Sequence, residues 1–144
     1  NGCMGVEAVI LFNPEKAWEF ELRRKRGAHL FSKHRYLSAQ MAGYLRDDLW
    51  RDLAAKANAN MARLSAGLQD LPEARMLYPT QANIAFVDLP RALHRRLTEG
   101  GVAYNIWSGS LDGADPAEPL PARFVTDWSL TQDDIDAFLA LARG

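Results

Sequence analysis

The chain has 144 residues, of which 48% are hydrophobic, and its 17 basic residues are offset by 18 acidic ones. This length and composition predict a compact domain with a real core, and they exclude a disordered or collagen-like chain. The net charge of −1 argues against a nucleic-acid-binding domain, which usually carries a clear basic excess.

The chain begins with a predicted strand, which is followed by helices. Gly5–Phe12 is short and apolar and is closed by an Asn-Pro pair, which is typical of a buried strand. We expect its partner strands to precede Asn1. Good helix formers then continue from Pro14 to Arg26, Gly27 breaks the pattern, and a second helix is predicted over 33–45.

The strongest periodic element is an apolar stripe with steps of three and four residues, which predicts one long helix. Its members are Leu49, Leu53, Ala57, Met61, Leu64, Leu68 and Leu71. Pro72 ends this helix, and we expect the boundary between a helical connection and a small α+β module near Leu71-Pro72.

The rest of the chain predicts a strand-rich unit that is crossed by two helices. The four expected strands are Ala74–Leu77, Ile84–Leu89, Val102–Trp107 and Arg123–Trp128. The first helix follows Pro90 and ends before Gly100-Gly101, and the last starts at Thr131 with a capping-box spacing. Between them, Ser108–Pro121 is a loop long enough to suggest either function or mobility.

Four blocks in this order resemble the low-specificity L-threonine aldolase and phenylserine aldolase family over nearly the whole chain. They are Asn1–Ile10, the basic stretch followed by Tyr36–Gln40, Asn83–Val87 and Arg123–Thr126. The resemblance implies an α/β fold of the fold-type I class that binds pyridoxal 5′-phosphate (PLP). Residues 1–71 would then be the last large-domain strand and the connecting helices, and 72–144 the small C-terminal α+β domain.

The family resemblance also implies an activity, namely the cleavage of β-hydroxy-α-amino acids such as threonine or phenylserine to glycine and an aldehyde. It implies a homotetramer with shared active sites. Cytoplasmic localisation is expected because the single Cys3 cannot form an internal disulfide. The balanced charge predicts no nucleic-acid partner, and the lack of a run of ~18 apolar residues predicts no membrane partner. The lysine that forms the Schiff base with PLP is expected immediately before Asn1. The chain would therefore contain no catalytic lysine and would be inactive by itself.

Arg123 is the first candidate for a functional side chain, because its predicted strand is otherwise apolar or aromatic. A guanidinium in such a strand needs an anionic partner, and a substrate α-carboxylate can accept two parallel N–H bonds from it. The resemblance assigns this role to the matching arginine. The alternative is an arginine at an exposed strand edge, paired with Asp127 on the same face.

The second candidate is a basic run in which six cations occur within thirteen residues. One interpretation is a solvated helix face that pairs with Glu15, Glu19 and Glu21. Another is an anion site at a subunit interface, in which Lys25 and Lys33 reach the cofactor of a neighbouring subunit. The family resemblance favours this second interpretation for the two lysines.

The remaining polar and aromatic residues give weaker signals. One cysteine, Cys3, and three scattered histidines, including His94 on a predicted surface helix, lack the spacing of a metal site. Trp107 and Trp128 either line a substrate pocket or belong to the core. Two other functions stay open, namely a non-catalytic oligomerisation or ligand-binding module, and another fold-type I lyase or aminotransferase.

Overall fold

A computed structural model describes residues 2–144, which form two compact units. The first unit extends to Trp50 and the second is Arg51–Gly144. The division therefore precedes the Leu71-Pro72 junction, because most of the long helix packs within the second unit. The assignment of 1–71 and 72–144 to two domains of a whole enzyme stays a prediction.

Short helices make up most of the first unit. A 3-10 turn, Pro14–Lys16, precedes α1 (Ala17–Arg26), and α2 is Arg35–Tyr44. The side chain of Asn13 accepts a hydrogen bond from the Glu15 backbone N–H at 3.0 Å, which caps the first turn. Both predicted helices are therefore confirmed.

The strand predicted over Gly5–Phe12 is absent, and this part of the prediction was wrong. The segment has no regular structure, and Ile10 and Phe12 are 77% and 96% exposed. A strand needs neighbours for its backbone N–H and C=O groups, and no described strand pairs with this segment. A nearby contact instead holds the start of the chain to α2, since the Met4 N–H donates to the Gln40 side chain at 2.7 Å.

A four-stranded antiparallel sheet in the order β1-β2-β4-β3 is the centre of the second unit. The strands are β1 (Arg75–Met76), β2 (Ile84–Pro90), β3 (Asn105–Ile106) and β4 (Pro119–Val125), and the helices are α3 (Leu49–Gln69), α4 (Arg91–Glu99) and α5 (Gln132–Arg143). A 3-10 turn, Arg46–Asp48, leads into α3. The Thr131–Asp134 capping box is confirmed, and so is the long helix, in which Ala57, Met61, Leu64 and Leu68 of the stripe are buried. Leu49 is exposed, and Leu71 follows the end of the helix.

The core lies on one face of this sheet, where alternate residues of β2 and β4 are buried. The buried cluster that joins the sheet to the helices contains Met61, Leu64, Leu68, Val87, Leu89, Leu93, Leu97, Phe124, Ile135 and Leu139. The opposite face of the sheet has no helix of this core on it, and we call it the open face. The open face is where the candidate site lies.

Two of the predicted strands have different limits in the structure. β3 is much shorter than Val102–Trp107, and β4 begins at Pro119 and ends at Val125, where the sequence suggested Arg123–Trp128. The Trp107 N–H donates to the Pro121 carbonyl at 2.7 Å, so Pro121 turns its backbone groups toward the β3 side. The last residue of β4 that pairs with β3 is Ala122. The Pro121 nitrogen, which carries no hydrogen, therefore loses no hydrogen bond of this ladder, and proline is tolerated.

The loop before β4 is tied to α4 by two arginines. Arg91, only 3% exposed, donates from Nε to the Ser110 carbonyl at 3.0 Å and also pairs with the Glu118 carboxylate. One turn later, Arg95 donates to the Gly113 carbonyl at 2.7 Å. These bonds fix the loop that leads from Trp107 to β4.

No helix in residues 2–144 has both the length and the apolar character needed to traverse a bilayer.

Close contact between α3 and α5 can be tested at Gly67. A Cβ built on Gly67 would lie 2.3 Å from Cδ1 of the buried Leu139. We expect Gly67→Ala to lower the free energy of unfolding by about 1–3 kcal/mol, because the core becomes overpacked. Urea denaturation measures this change.

A second variant separates overpacking from helix propensity. In a Leu139→Ala background the added methyl has space, so Gly67→Ala should be neutral or should stabilise by up to about 1 kcal/mol. Equal destabilisation in both backgrounds would show that the contact with Leu139 is not the cause.

Candidate functional site

Arg123 lies in the middle of β4 and faces the open side of the sheet. Its cross-strand neighbours are Phe86 on β2 and Asn105 on β3. Alternation along β4 explains this direction, since Ala122 and Phe124 on either side of it are buried in the core. The predicted placement of Arg123 on an otherwise apolar strand is therefore confirmed.

Among residues 2–144, no carboxylate forms an ion pair with the guanidinium of Arg123. The Nε of Arg123 is buried without a hydrogen-bond partner. An unsatisfied buried N–H of a charged group is costly, so such an atom calls for a ligand or another source of stabilisation. This is the unusual electrostatic feature of the open face.

Asp127 does not serve as the partner of Arg123, so the alternative interpretation was wrong. Its carboxylate accepts hydrogen bonds from the Ser129 backbone and hydroxyl, both at 2.7 Å, and from the Leu130 N–H at 3.2 Å. These bonds, chiefly the one from the Ser129 hydroxyl, lower the pKa of Asp127. The chain turns after Val125, and the carboxylate is therefore used within its own turn.

Three aromatic rings accompany Arg123 on the open face. The Trp107 ring centroid lies 5.5 Å from the Arg123 Cζ, which is within cation–π range. Phe86 meets Trp107 edge to face at 5.3 Å, and Tyr78 meets Phe86 in the same way at 5.9 Å. Trp107 is therefore next to the candidate site, whereas Trp128, predicted as its equal, makes no ring contact among the described residues.

This arrangement can bind a small carboxylate. A guanidinium presents a planar set of N–H donors that fits the two oxygens of a carboxylate, and it stays charged at every physiological pH. Because no internal acid competes, the donors of Arg123 are available to an anion from outside. The apolar rings around it would reduce the local exposure to water and strengthen that contact.

Lys25 and Lys33 belong to the first unit. Both are exposed, Lys25 in the last turn of α1 and Lys33 in the segment before α2. Among their neighbours, Arg23 pairs with Glu19 and Arg24 with Glu21, each at 2.6 Å. The interpretation as a helix face that pairs with glutamates is therefore confirmed for these two arginines, and the anion-site role of the two lysines stays a prediction.

His94 is a core residue, and its predicted surface position was wrong. It is 0% exposed, with Nδ1 at 2.6 Å from the Tyr104 hydroxyl and Nε2 at 2.9 Å from the Leu120 carbonyl. Burial lowers the pKa of His94 and raises the pKa of Tyr104 to about 12. The many polar residues of α4 suggested a surface helix, so the burial of His94 was not predicted. In the structure, Arg91 and Arg95 reach the loop before β4, whereas His94 faces the sheet.

A cavity of about 660 Å³ lies between the end of β4, residues 100–105 and α5. Its walls are mainly apolar, with Leu64, Ile135 and Phe138 among them. The one carboxylate in the wall, Asp134, is already engaged in capping α5. Arg123 is itself among the residues that line this cavity, so the cavity adjoins the same guanidinium and is not a separate anion site.

Known proteins similar to the chain include two curated threonine aldolases, although no family model matches it. Over 128 residues it is 33% identical to the low specificity L-threonine aldolase of Pseudomonas sp. (strain NCIMB 10558), covering 89% of the chain and 34% of that protein. Over 143 residues it is 32% identical to the Pseudomonas aeruginosa enzyme of the same name, covering 99% of the chain and 38% of that protein. The chain thus spans little more than a third of these relatives.

Solved structures give the same picture of the fold. Leishmania major threonine aldolase matches 86% of the chain and 34% of its own, with a TM-score of 0.71 and 24% identity. A glycine decarboxylase (P-protein) matches 79% of the chain and 26% of its own, with a TM-score of 0.58 and 21% identity. The match to the cystine C-S lyase C-DES covers 74% of the chain and 28% of that protein, with a TM-score of 0.55 and 20% identity. The predicted fold-type I class is confirmed.

The buried His94 predicts a pH dependence of stability. Its pKa is lowered from the ordinary 6.5 in the folded chain, so the unfolded chain binds the proton more readily. The full stability is present above pH 6.5, and it falls as the pH decreases from there toward the folded pKa. One such group contributes a slope of at most about 1.4 kcal/mol per pH unit.

Urea unfolding at several pH values between 5 and 8 measures this slope. The variant His94→Gln keeps polar atoms at the site but cannot titrate, so its stability should change less over the same range. If the original protein and the variant lost stability in parallel, His94 would not be the titrating group.

Proposed function

Because the chain belongs, over most of its length, to the low-specificity L-threonine aldolase family, we propose that it supplies the substrate-carboxylate site of a PLP-dependent aldolase. The whole protein would cleave β-hydroxy-α-amino acids, such as threonine or phenylserine, to glycine and an aldehyde. The observation that carries the proposal is the Arg123 guanidinium, which lies on the open face, has an Nε without a hydrogen-bond partner and takes part in none of the ion pairs between described residues.

The cofactor of this proposed enzyme is pyridoxal 5′-phosphate, which withdraws electrons from the bond that breaks at Cα. We assign the role of its Schiff-base lysine to no described residue. Lys25 and Lys33 are exposed and take part in none of the described ion pairs, so their ammonium groups suit a phosphate. We assign them to the cofactor phosphate of a neighbouring subunit in a homotetramer.

Arg123 orients the substrate. Two parallel N–H bonds to the α-carboxylate fix the direction of the bonds at Cα, so that the Cα–Cβ bond is the one aligned for cleavage. Its positive charge also offsets the cost of bringing the carboxylate out of water. Since every amino-acid substrate carries this group, Arg123 sets the common part of recognition and leaves the choice of aldehyde to other residues.

Substitution of Arg123 in the full-length protein tests the proposal. Loss of two charge-assisted hydrogen bonds, each worth about 1.5–3 kcal/mol, should lower kcat/KM by about 10²–10⁴-fold in Arg123→Ala. The decrease should be similar for threonine and for both diastereomers of phenylserine. Glycine release measures it, and Arg123→Lys should show an intermediate loss because it keeps the charge without the planar fork.

Arg63→Ala is the matched control, since Arg63 makes an exposed ion pair with Asp136 at 2.6 Å in the same unit. It should keep nearly normal kcat/KM. If Arg123→Ala also kept normal kcat/KM for all substrates, the assignment of Arg123 would be wrong. If the full-length protein bound PLP without showing the absorbance of a lysine Schiff base and released no glycine, a non-catalytic ligand-binding module would be the better interpretation.

A further inference from the structure

The absence of an internal anion leaves open what holds Arg123 in place. We propose that Trp107 is a positioning residue, whose ring holds the Arg123 guanidinium in the orientation that receives a carboxylate. This inference rests on the proposed function, because it names the device that prepares the same site. This positioning role has two requirements. The Trp107 ring must attract the Arg123 guanidinium, and the ring itself must be held in place.

The attraction is between the cation and the face of the indole. The Arg123 Cζ lies 5.5 Å from the Trp107 ring centroid, and indole is the strongest of the protein rings in such contacts. Burial of the Arg123 Nε removes water that would otherwise weaken the attraction. The contact therefore replaces part of the solvation that Arg123 loses on the sheet.

Other rings and the backbone hold Trp107. Phe86 packs edge to face against it at 5.3 Å with an interplanar angle of 89°, and Tyr78 packs against Phe86 at 87°. The backbone N–H of Trp107 donates to the Pro121 carbonyl at 2.7 Å. The loop after Trp107 is fastened by Arg91. The ring is thus restrained although Trp107 is 56% exposed.

An aromatic ring suits this task better than a carboxylate. An acidic side chain would hold Arg123 by occupying its N–H donors and by neutralising its charge, so a substrate would have to displace it. A ring face attracts the cation without accepting those hydrogen bonds. Trp107 can therefore restrain Arg123 while the donors stay available to the substrate.

Three substitutions of Trp107 in the full-length holoenzyme test this role, with the dissociation constant of glycine as the readout, followed by the absorbance of the bound cofactor. Trp107→Leu removes the ring and should weaken glycine binding about three- to thirtyfold, the range of a cation–π contact. Trp107→Phe keeps a ring and should lose less. Trp107→Glu should lose more than Leu, because its carboxylate would occupy the donors of Arg123.

Two further measurements separate this role from a structural one. In an Arg123→Ala background, Trp107→Leu should cause no additional loss, because it acts through the arginine. In the cofactor-free protein, the Arg123 Nε–H resonance should show the ring-current shift of the indole and lose it in Trp107→Leu. Trp128→Leu is the matched control, since this tryptophan is in the same unit and touches none of the three rings, and it should leave glycine binding unchanged.

The possible outcomes distinguish the two proposals. If Arg123→Ala binds glycine normally, the proposed function fails at its site. If Arg123→Ala loses glycine binding while Trp107→Leu keeps it, only the positioning role is overturned. The positioning role is also overturned if Trp107→Glu binds glycine as tightly as the original protein, because simple restraint of Arg123 would then be sufficient.

Discussion

The antiparallel pairing of β2 with β4 is the interaction on which the second unit depends. This ladder runs from Ile84 opposite Val125 to Pro90 opposite Pro119. Because side chains alternate along a strand, this register sends one set of residues into the core and the other to the open face. A slip by one residue would exchange the two sets, burying Arg123 among leucines and exposing Phe124. The site therefore exists only in this register.

The helices make the register favourable by covering a single face of the sheet. The stripe of α3 and the buried sides of α4 and α5 enclose the apolar residues of β2 and β4. His94 fits into this core because both of its ring nitrogens have partners, so its burial carries no unsatisfied polar group. Arg123 is the contrary case, since its Nε is buried without such a partner. The two buried polar groups therefore differ in whether the chain itself supplies their hydrogen-bond partners.

The two units contribute different kinds of evidence about function. The second unit carries Arg123, its rings and the fold shared with the solved aldolase structure. The first unit carries the basic stretch, in which two arginines pair with neighbouring glutamates while Lys25 and Lys33 stay exposed. Exposed cations in a short helical unit are common, and the role proposed for Lys25 and Lys33 requires a neighbouring subunit. Arg123 can be argued from its own surroundings.

The sequence by itself determined those features that depend on residues close together along the chain. The spacing of apolar residues set α3, proline and glycine marked its end and the ends of other helices, and the capping box at Thr131 started α5. A lone arginine in an apolar strand also predicts an anion site, because a desolvated guanidinium needs a partner, and that site stays a prediction. The signals for the two helices are local, so the sequence alone was sufficient for them.

Only the tertiary structure decided features that depend on distant pairing. Gly5–Phe12 has the composition of a strand but no strand beside it, and Pro119 and Pro121 are accepted in β4 because β3 ends before reaching them. The turn after Val125 determined that Asp127 bonds to Ser129 and not to Arg123. A strand, a buried polar atom or an ion pair is completed by a partner far away in the chain, and no local pattern specifies where that partner will lie.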